Sequence, residues 1–381
     1  MQKKIKVLHL PSVVGGNPQG LSKHLNQIGI ESQTWTLQQN YFGYLADKVI
    51  CADTDNLVWC ELKRILALRY IFKSHVIFFN FGQTLFQQLP KAYHGEKGFL
   101  VWLLFPMYRH YARLMQNLEL FLLRALKKVL LIQYQGDDAR QGGYSLAHFP
   151  ITIAKQVEPG YYSVESDALK REQIQRLTGV CYKTYALNPD LLHVLPSGSE
   201  FLPYSHISLE DWSSCYTQME SRPLRIGHAP SHRGVKGTEL ILAALDALKI
   251  EGFEFELVLV EGLSNAEAKE RYKTVDVLVD QLFAGWYGGL AVEAMALGKP
   301  VIVYIREEDL KFIPSEMAAE LPFIQATPDS IGLALRKVLE MPRTQLLDLA
   351  KRSRAYVERW HNPITIAERI KQDIKQALSS K

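Results

Sequence analysis

Residues 226–303 contain two strand–loop–helix units with glycine-bearing loops, and these restrict both the fold and the ligand. The first unit reads IGHAPSHRGVKGTELILAAL and the second VDQLFAGWYGGLAVEAMALGKPVIV. Short apolar runs that feed helical spacing predict buried parallel strands covered by helices. A helix start carries unpaired N–H groups and the positive end of the helix dipole, so a helix fed by a glycine loop suits phosphate. Gly237, Gly288 and Gly289 let the backbone approach such a group, and Leu290 adds a further N–H. Arg233 and Lys236 place two cations beside the first loop, and Glu293 lies one turn into the second helix, where a carboxylate suits a sugar diol. The pair of units predicts a site for a nucleotide-diphosphate ligand.

The rest of the chain is organised around this region. Its 381 residues exceed one ordinary core and suit two. With 47% hydrophobic and 22% charged residues it is globular. A net charge of +4 is too small to indicate nucleic acid, and no such partner is expected. Cys51, Cys60, Cys181 and Cys215 lack zinc-ligand spacing, which fits reduced thiols and a cytoplasmic location. The opening MQKKIKVLHLPSVVGG reads as a first buried strand rather than a leader, because Pro11 interrupts a short apolar run. No run of about 18 apolar residues suggests a transmembrane helix.

Along the first half, Ile5–Leu10, Val76–Phe79, Val129–Tyr134 and Tyr185–Leu187 read as strands. Each is followed by a polar loop, the first of which contains Gly15 and Gly16. In open parallel sheets ligands meet such loops at the carboxyl ends of strands. Residues 196–223 are rich in Pro, Ser and Gly, so the domain boundary falls there. A second unit begins at Leu224, with strands at Leu224–His228, Glu256–Val260, Val277–Val279 and Pro300–Ile305. The expected division is a first Rossmann-like domain at 1–205, a second at 206–345, and helices at 346–381 that return to the first.

With these motifs in order, the chain resembles bacterial family 4 glycosyltransferases of GT-B architecture. HAPSHRGVKGT and DQLFAGWYGGLAVEAMALGKPV carry the resemblance, supported by YQGDDAR, ALNPDLLHVLP and RAYVERWHNPITIAERI. It implies two doubly wound α/β domains facing a cleft, with the donor in the second and the acceptor mainly in the first. It also implies sugar transfer with retention, from a UDP- or GDP-sugar to a saccharide or lipid-linked acceptor in polysaccharide or glycoconjugate synthesis. There are departures. Gly285 stands where the family carries the first of two glutamates, Glu293 being the second, and Gln135 and Asn80 stand where histidines are frequent.

The residues define the expected chemistry. Loss of a glycosyl diphosphate develops negative charge on the leaving group and an oxocarbenium-like sugar. Arg233, Lys236 and the N–H groups of Gly288, Gly289 and Leu290 are expected to stabilise that charge without a divalent metal or further cofactor. Glu293 is expected to hold ribose hydroxyls. His228, at a strand end, is either a phosphate donor or a structural histidine. Asp138 either acts on the acceptor or pairs with Arg140 to shape a loop. Basic residues around the apolar stretch 100–108, within 91–128, suit either a core helix with a solvated face or an anionic membrane surface and a peripheral location. The missing first glutamate motivates an alternative, a non-catalytic nucleotide-sugar-binding or scaffold subunit. A nucleotide-sugar epimerase on the same fold is a third reading, for which no base is evident.

Overall fold

The computed structural model describes residues 4–39, 44–87, 99–216 and 222–380, with 99–106 described by their backbone alone. The first half builds a seven-stranded parallel sheet: β1 Lys6–Leu10, β2 Glu31–Thr36, β3 Lys48–Val49, β4 Val76–Asn80, β5 Val129–Tyr134, β6 Lys183–Ala186 and β7 Glu200–Phe201. Its order is β3-β2-β1-β4-β5-β6-β7. The second half builds a five-stranded parallel sheet: β8 Leu224–His228, β9 Phe255–Leu259, β10 Val277–Val279, β11 Val301–Val303 and β12 Ile324–Gln325. Its order is β12-β11-β10-β8-β9.

Helices flank both sheets. In the first half they are α1 Asn17–Gln27, α2 Leu57–Ile71, α3 Phe99–Ala125, α4 Gly142–His148 and α5 Val164–Thr178. In the second they are α6 Arg233–Lys236, α7 Thr238–Ile250, α8 Asn265–Thr274, α9 Gly289–Ala296, α10 Ser315–Ala319, α11 Ile331–Glu340 and α12 Arg343–Trp360. The last helix is α13 Pro363–Ser379. Every residue of β4 and β5 is buried, as expected of strands covered on both faces.

Four strands lie outside the sequence expectation. β2 reads ESQTWT, which is too polar to stand out as a strand. Several of its buried polar groups are paired locally. Asp47 accepts from the Thr34 backbone N–H and hydroxyl at 2.7 and 2.9 Å, and Asn26 accepts from the Ser32 N–H. β3, β7 and β12 have two residues each, too few for a periodic signal.

The C-terminal pair carries the chain back. α12 lies against α9 in the second half. The chain then turns at His361 and Asn362, and the Asn362 side chain accepts from the N–H groups of Ile364 and Thr365 to start α13. α13 packs on α1, placing Ile366, Ile370 and Ile374 in one core with Val7, Leu21 and Leu25. His361 is fully buried at the turn. Its Nδ1–H donates to the Tyr204 carbonyl at 3.0 Å and its Nε2 accepts from the Tyr287 hydroxyl at 2.8 Å.

The strand orders locate the cleft. In the first sheet the direction of winding reverses between β1 and β4, and in the second between β8 and β10. Loops leaving the carboxyl ends of such neighbours diverge and open a crevice. The crevices of the two sheets face each other, since the loops after β1, β4, β8 and β10 contribute residues to shared cavities.

Candidate active site

Two adjoining chambers occupy the cleft. The first, of about 380 Å³, is walled by Gly15, Asn17 and Tyr44 of the first half and by Lys236, Gly289, Leu290 and Glu293 of the second. The second, of about 430 Å³, is walled by Asp137, Arg140 and Asp190 opposite Gln281, Trp286 and Gly288. Val14, Gln135, Tyr204 and Ser231 line both.

The two glycine loops of the second half are joined by a carboxylate. α6 is one turn long, and Gly237, at φ +77°, redirects the chain into α7. A side chain at Gly237 would also bring a Cβ to 3.1 Å from Leu282. This turn delivers Lys236 into the first chamber, where its Nζ donates to Asp280 Oδ1 at 2.6 Å. Asp280, wholly buried, also accepts from the Gly288 N–H at 2.8 Å. The Gly288 N–H is therefore engaged by Asp280, while Gly289 and Leu290 open α9 onto the first chamber.

Arg233, three residues before Lys236, takes a different course. Its guanidinium donates to Glu239 at 2.8 and 2.9 Å and to Glu261 at 2.7 Å, is 43% exposed, and lines neither chamber. The structure thus separates the two cations that the sequence places together: Lys236 enters the first chamber, while Arg233 is held by exposed Glu239 and by Glu261, itself a lining residue of that chamber. His228 is also set apart. Its Nδ1–H donates to the Val279 carbonyl and its Nε2 accepts from the Thr238 hydroxyl, both at 2.9 Å. Burial lowers its pKa, so it is a neutral histidine that ties β8 to β10 and α7.

Glu293 is 5% exposed and faces the first chamber. Its Oε1 lies 3.3 Å from Asn265 Nδ2 and 3.4 Å from His206 Nε2. Tyr44 lies beside this group, and burial, reinforced by the Glu293 carboxylate, raises its pKa. The departure at position 285 has a steric cause. Gly285 sits at φ +78°, and a Cβ there would fall 2.6 Å from the guanidinium of Arg306. Arg306 donates to Asp309 at 2.8 Å and to the Ile151 carbonyl at 3.0 Å, and lies 3.7 Å from the centre of the Phe149 ring. Arginine therefore fills the room in which a glutamate at 285 would need to sit.

The first half contributes backbone turns and a charged network closed on itself. Gly15 and Gly16 adopt φ of +63° and +71°, and a Cβ on Gly16 would meet the Tyr44 ring at 2.9 Å. Asp138 does not line either chamber. Its carboxylate accepts from the N–H groups of Gln135 and Gly136 at 3.0 and 2.6 Å, which fixes the loop after β5. Burial pushes its pKa up to about 6. Its pairing with Arg140, one of the two expectations, is replaced by another network. Arg140 donates to Asp190 at 2.8 Å and to Asp137 at 3.0 Å, and Asp137 accepts from the Tyr161 and Tyr162 hydroxyls. Carboxylates on two sides raise the Arg140 pKa and hold it as a fixed cation of the second chamber.

No protein-family model matches this chain, and no curated protein matches it by sequence. Solved structures do match across its whole length. Sucrose-phosphate synthase from Thermosynechococcus elongatus superposes with a TM-score of 0.61 at 13% identity, covering 100% of both chains. The catalytic domain of starch synthase IV from Arabidopsis thaliana, bound to ADP and acarbose, gives 0.55 at 10% identity, covering 99% of this chain and 100% of that one. MnaA of S. aureus, solved with UDP, gives 0.52 at 13% identity, covering 99% and 97%. The fold is GT-B. Identities this low establish the architecture and leave the chemistry to the residues.

Within this GT-B cleft, several participants escaped the sequence reading. Tyr204 and His206 belong to the Pro- and Ser-rich connection between the sheets, where no periodicity marks them. His206 is nonetheless buried in the first chamber beside Glu293. Tyr44, from the segment between β2 and β3, and Asn265, the first residue of α8, are single residues brought in from distant parts of the chain.

Proposed function

We propose that this chain is a retaining, metal-independent glycosyltransferase that moves a sugar from a nucleotide-diphosphate donor to a saccharide or lipid-linked acceptor. One observation carries the reading: Lys236, the start of α9 and the Glu293 carboxylate meet in a single chamber between the carboxyl ends of two parallel sheets. Lys236 and the N–H groups of Gly289 and Leu290 receive the diphosphate and stabilise it as it leaves. Glu293, steadied by Asn265, accepts hydrogen bonds from ribose hydroxyls. The Asp138 carboxylate is committed to backbone N–H groups, so the leaving phosphate itself takes the acceptor's proton. Rotation of the two halves toward each other excludes water and limits donor hydrolysis. The ADP and UDP bound in two of the similar structures support a nucleotide in this cleft.

A melting-temperature panel with UDP, ADP, GDP and their sugars tests the binding step, since a ligand of the native state alone raises Tm. Release of free nucleotide on addition of lipid or saccharide pools tests transfer, and NMR of the product's anomeric proton tests retention. Binding without turnover against every acceptor pool would remove the enzymatic reading.

Peripheral association with an anionic membrane belongs to the same proposal. Residues 91–98, and the side chains of the apolar stretch up to 106, lie outside the described residues. Further along α3, however, Met107, Leu114 and Phe121 are 67%, 69% and 66% exposed, near the basic side chains of Arg113 and Arg124. Apolar residues exposed along a helix beside basic ones suit a headgroup layer. Among the described residues no helix is long and apolar enough to cross a membrane.

A further inference from the structure

The second chamber holds polar atoms that the protein itself leaves without partners. Both amide atoms of Gln135, Oδ1 of Asp190 and Nε1 of Trp286 make no hydrogen bond among the described residues. All three residues are more than nine-tenths buried, at 7%, 6% and 1% exposure, and all three line this chamber. Buried polar groups are nearly always paired. Three such residues around one chamber, two from the first half and one facing them from the second, mark a surface that a ligand's own donors and acceptors complete. The chamber's 430 Å³ lies within the roughly 300–1,000 Å³ typical of small-molecule sites.

The charges of the wall restrict that ligand further. Arg140 is the one Lys or Arg among the described residues lining the chamber. Its cation is already shared between Asp137 and Asp190. A carboxylated sugar would meet the unpartnered oxygen of Asp190 with no cation released to receive it, and burial would sharpen the repulsion. A neutral sugar instead offers hydroxyls, each both donor and acceptor, to the Gln135 amide, the Asp190 oxygen and the Trp286 N–H. Because the chambers share Val14, Gln135, Tyr204 and Ser231, a donor with its diphosphate in the first reaches the second directly.

We propose that the second chamber selects an uncharged, hydroxyl-rich glycosyl group on the donor and rejects a uronate, with Gln135, Asp190 and Trp286 as the specificity-determining side chains. This rests on the nucleotide-sugar reading above. The test is titration calorimetry with UDP, ADP and GDP. On whichever diphosphate binds, the glucose, galactose, N-acetylglucosamine or mannose esters are then compared with the glucuronate ester. The best neutral ester is expected to bind about tenfold tighter than the glucuronate ester. Trp286→Phe and Gln135→Met are each expected to cut the neutral sugar's advantage over the bare diphosphate by about three- to tenfold, the worth of one neutral hydrogen bond. Gln135→Met should leave the Tm of the unliganded protein unchanged, because the amide it removes pairs with nothing, whereas Trp286→Phe, which vacates part of a buried ring stacked on Tyr287, should lower it and is compared with the parent at a temperature where both are folded. Asp190→Asn should narrow the gap between neutral and glucuronate esters. A glucuronate ester that binds as tightly as the best neutral one, or an advantage that survives both variants, overturns the proposal. A diphosphate that binds while its neutral sugars add nothing overturns the chamber's assignment alone. If none of the three diphosphates binds, the nucleotide-sugar reading falls and takes this inference with it.

Discussion

The two walls of the cleft are made of different chemistry. The second half supplies a cation and buried carboxylates on short, tightly turned loops: Lys236 on Asp280, and Glu293 on the first turns of α9. The first half supplies glycine turns, amides, aromatic hydroxyls and the carboxylates of Asp137 and Asp190, and its one chamber-lining Lys or Arg among the described residues, Arg140, is held between those two carboxylates, whereas Lys236 is held by one. The contrast teaches that a cleft between similar sheets is divided by charge. One wall is suited to stabilise an anion, and the other to sort neutral hydrogen-bonding groups.

That division can be broken most severely at Lys236. In Lys236→Ala the wholly buried Asp280 keeps only the Gly288 N–H, and removing one partner of a buried pair costs about 3–5 kcal/mol. Denaturant melts should record that loss together with severe loss of transfer. Adding Asp280→Asn should restore most of the stability without restoring turnover. Recovery of both would assign Lys236 a purely structural role.

Glu293→Gln comes next. The carboxylate's charge-assisted hydrogen bonds are worth about 1.5–3 kcal/mol, so kcat/KM should fall about ten- to a hundredfold with little change in Tm. Unchanged kinetics would place the ribose elsewhere.

The joint between the halves gives a smaller, pH-dependent effect. Burial holds the His361 pKa down at about 3, against an ordinary value of 6.5. The unfolded chain therefore takes up a proton that the folded chain refuses. The contribution to stability is complete above pH 6.5 and declines as pH falls toward 3. By pH 5 about 2 kcal/mol should be gone. His361→Gln, which retains a donor and an acceptor, should flatten this part of the acid limb of a stability–pH curve. A parallel curve in the variant would refute the assignment.

The smallest effect is expected at Arg233. Its partners are exposed glutamates, and surface ion pairs contribute little. Arg233→Ala should leave Tm unchanged and turnover within about threefold of the parent, since the guanidinium lies outside both chambers. A loss comparable to that of Lys236→Ala would mean that Arg233 swings into the cleft when a donor arrives.

What could be read from the sequence follows from the same physics. β5 and β10 coincide with their expected ranges because fully buried parallel strands are predominantly apolar runs, and β8, though it carries Arg225 and His228, is bounded by a strand of the same kind. Lys236, Gly289, Leu290 and Glu293 were legible because a glycine loop entering a helix fixes where the next few residues point. Arg233 and Asp138 were legible as loop residues but not in their orientation, which is set by Glu239 and Glu261 in one case and by the backbone of Gln135 and Gly136 in the other. His206 and Asn265 reach Glu293 only through tertiary packing, which no local pattern encodes. Gly285 was recognised as a departure, but its cause, the guanidinium of Arg306, comes from the loop after the neighbouring strand β11.

His361 also governs how the halves can move. Its ring is held by Tyr204, on the strand of chain that leaves the first sheet, and by Tyr287, in the glycine turn of the second. Both crossings of the polypeptide thus share one peg, and the halves are tied further by Arg306 to the Ile151 carbonyl and by His193 to Asp309. Motion that keeps these ties leaves the rim beside them nearly stationary while the far rim sweeps, so entry and exit of substrates are expected at the lip most distant from them.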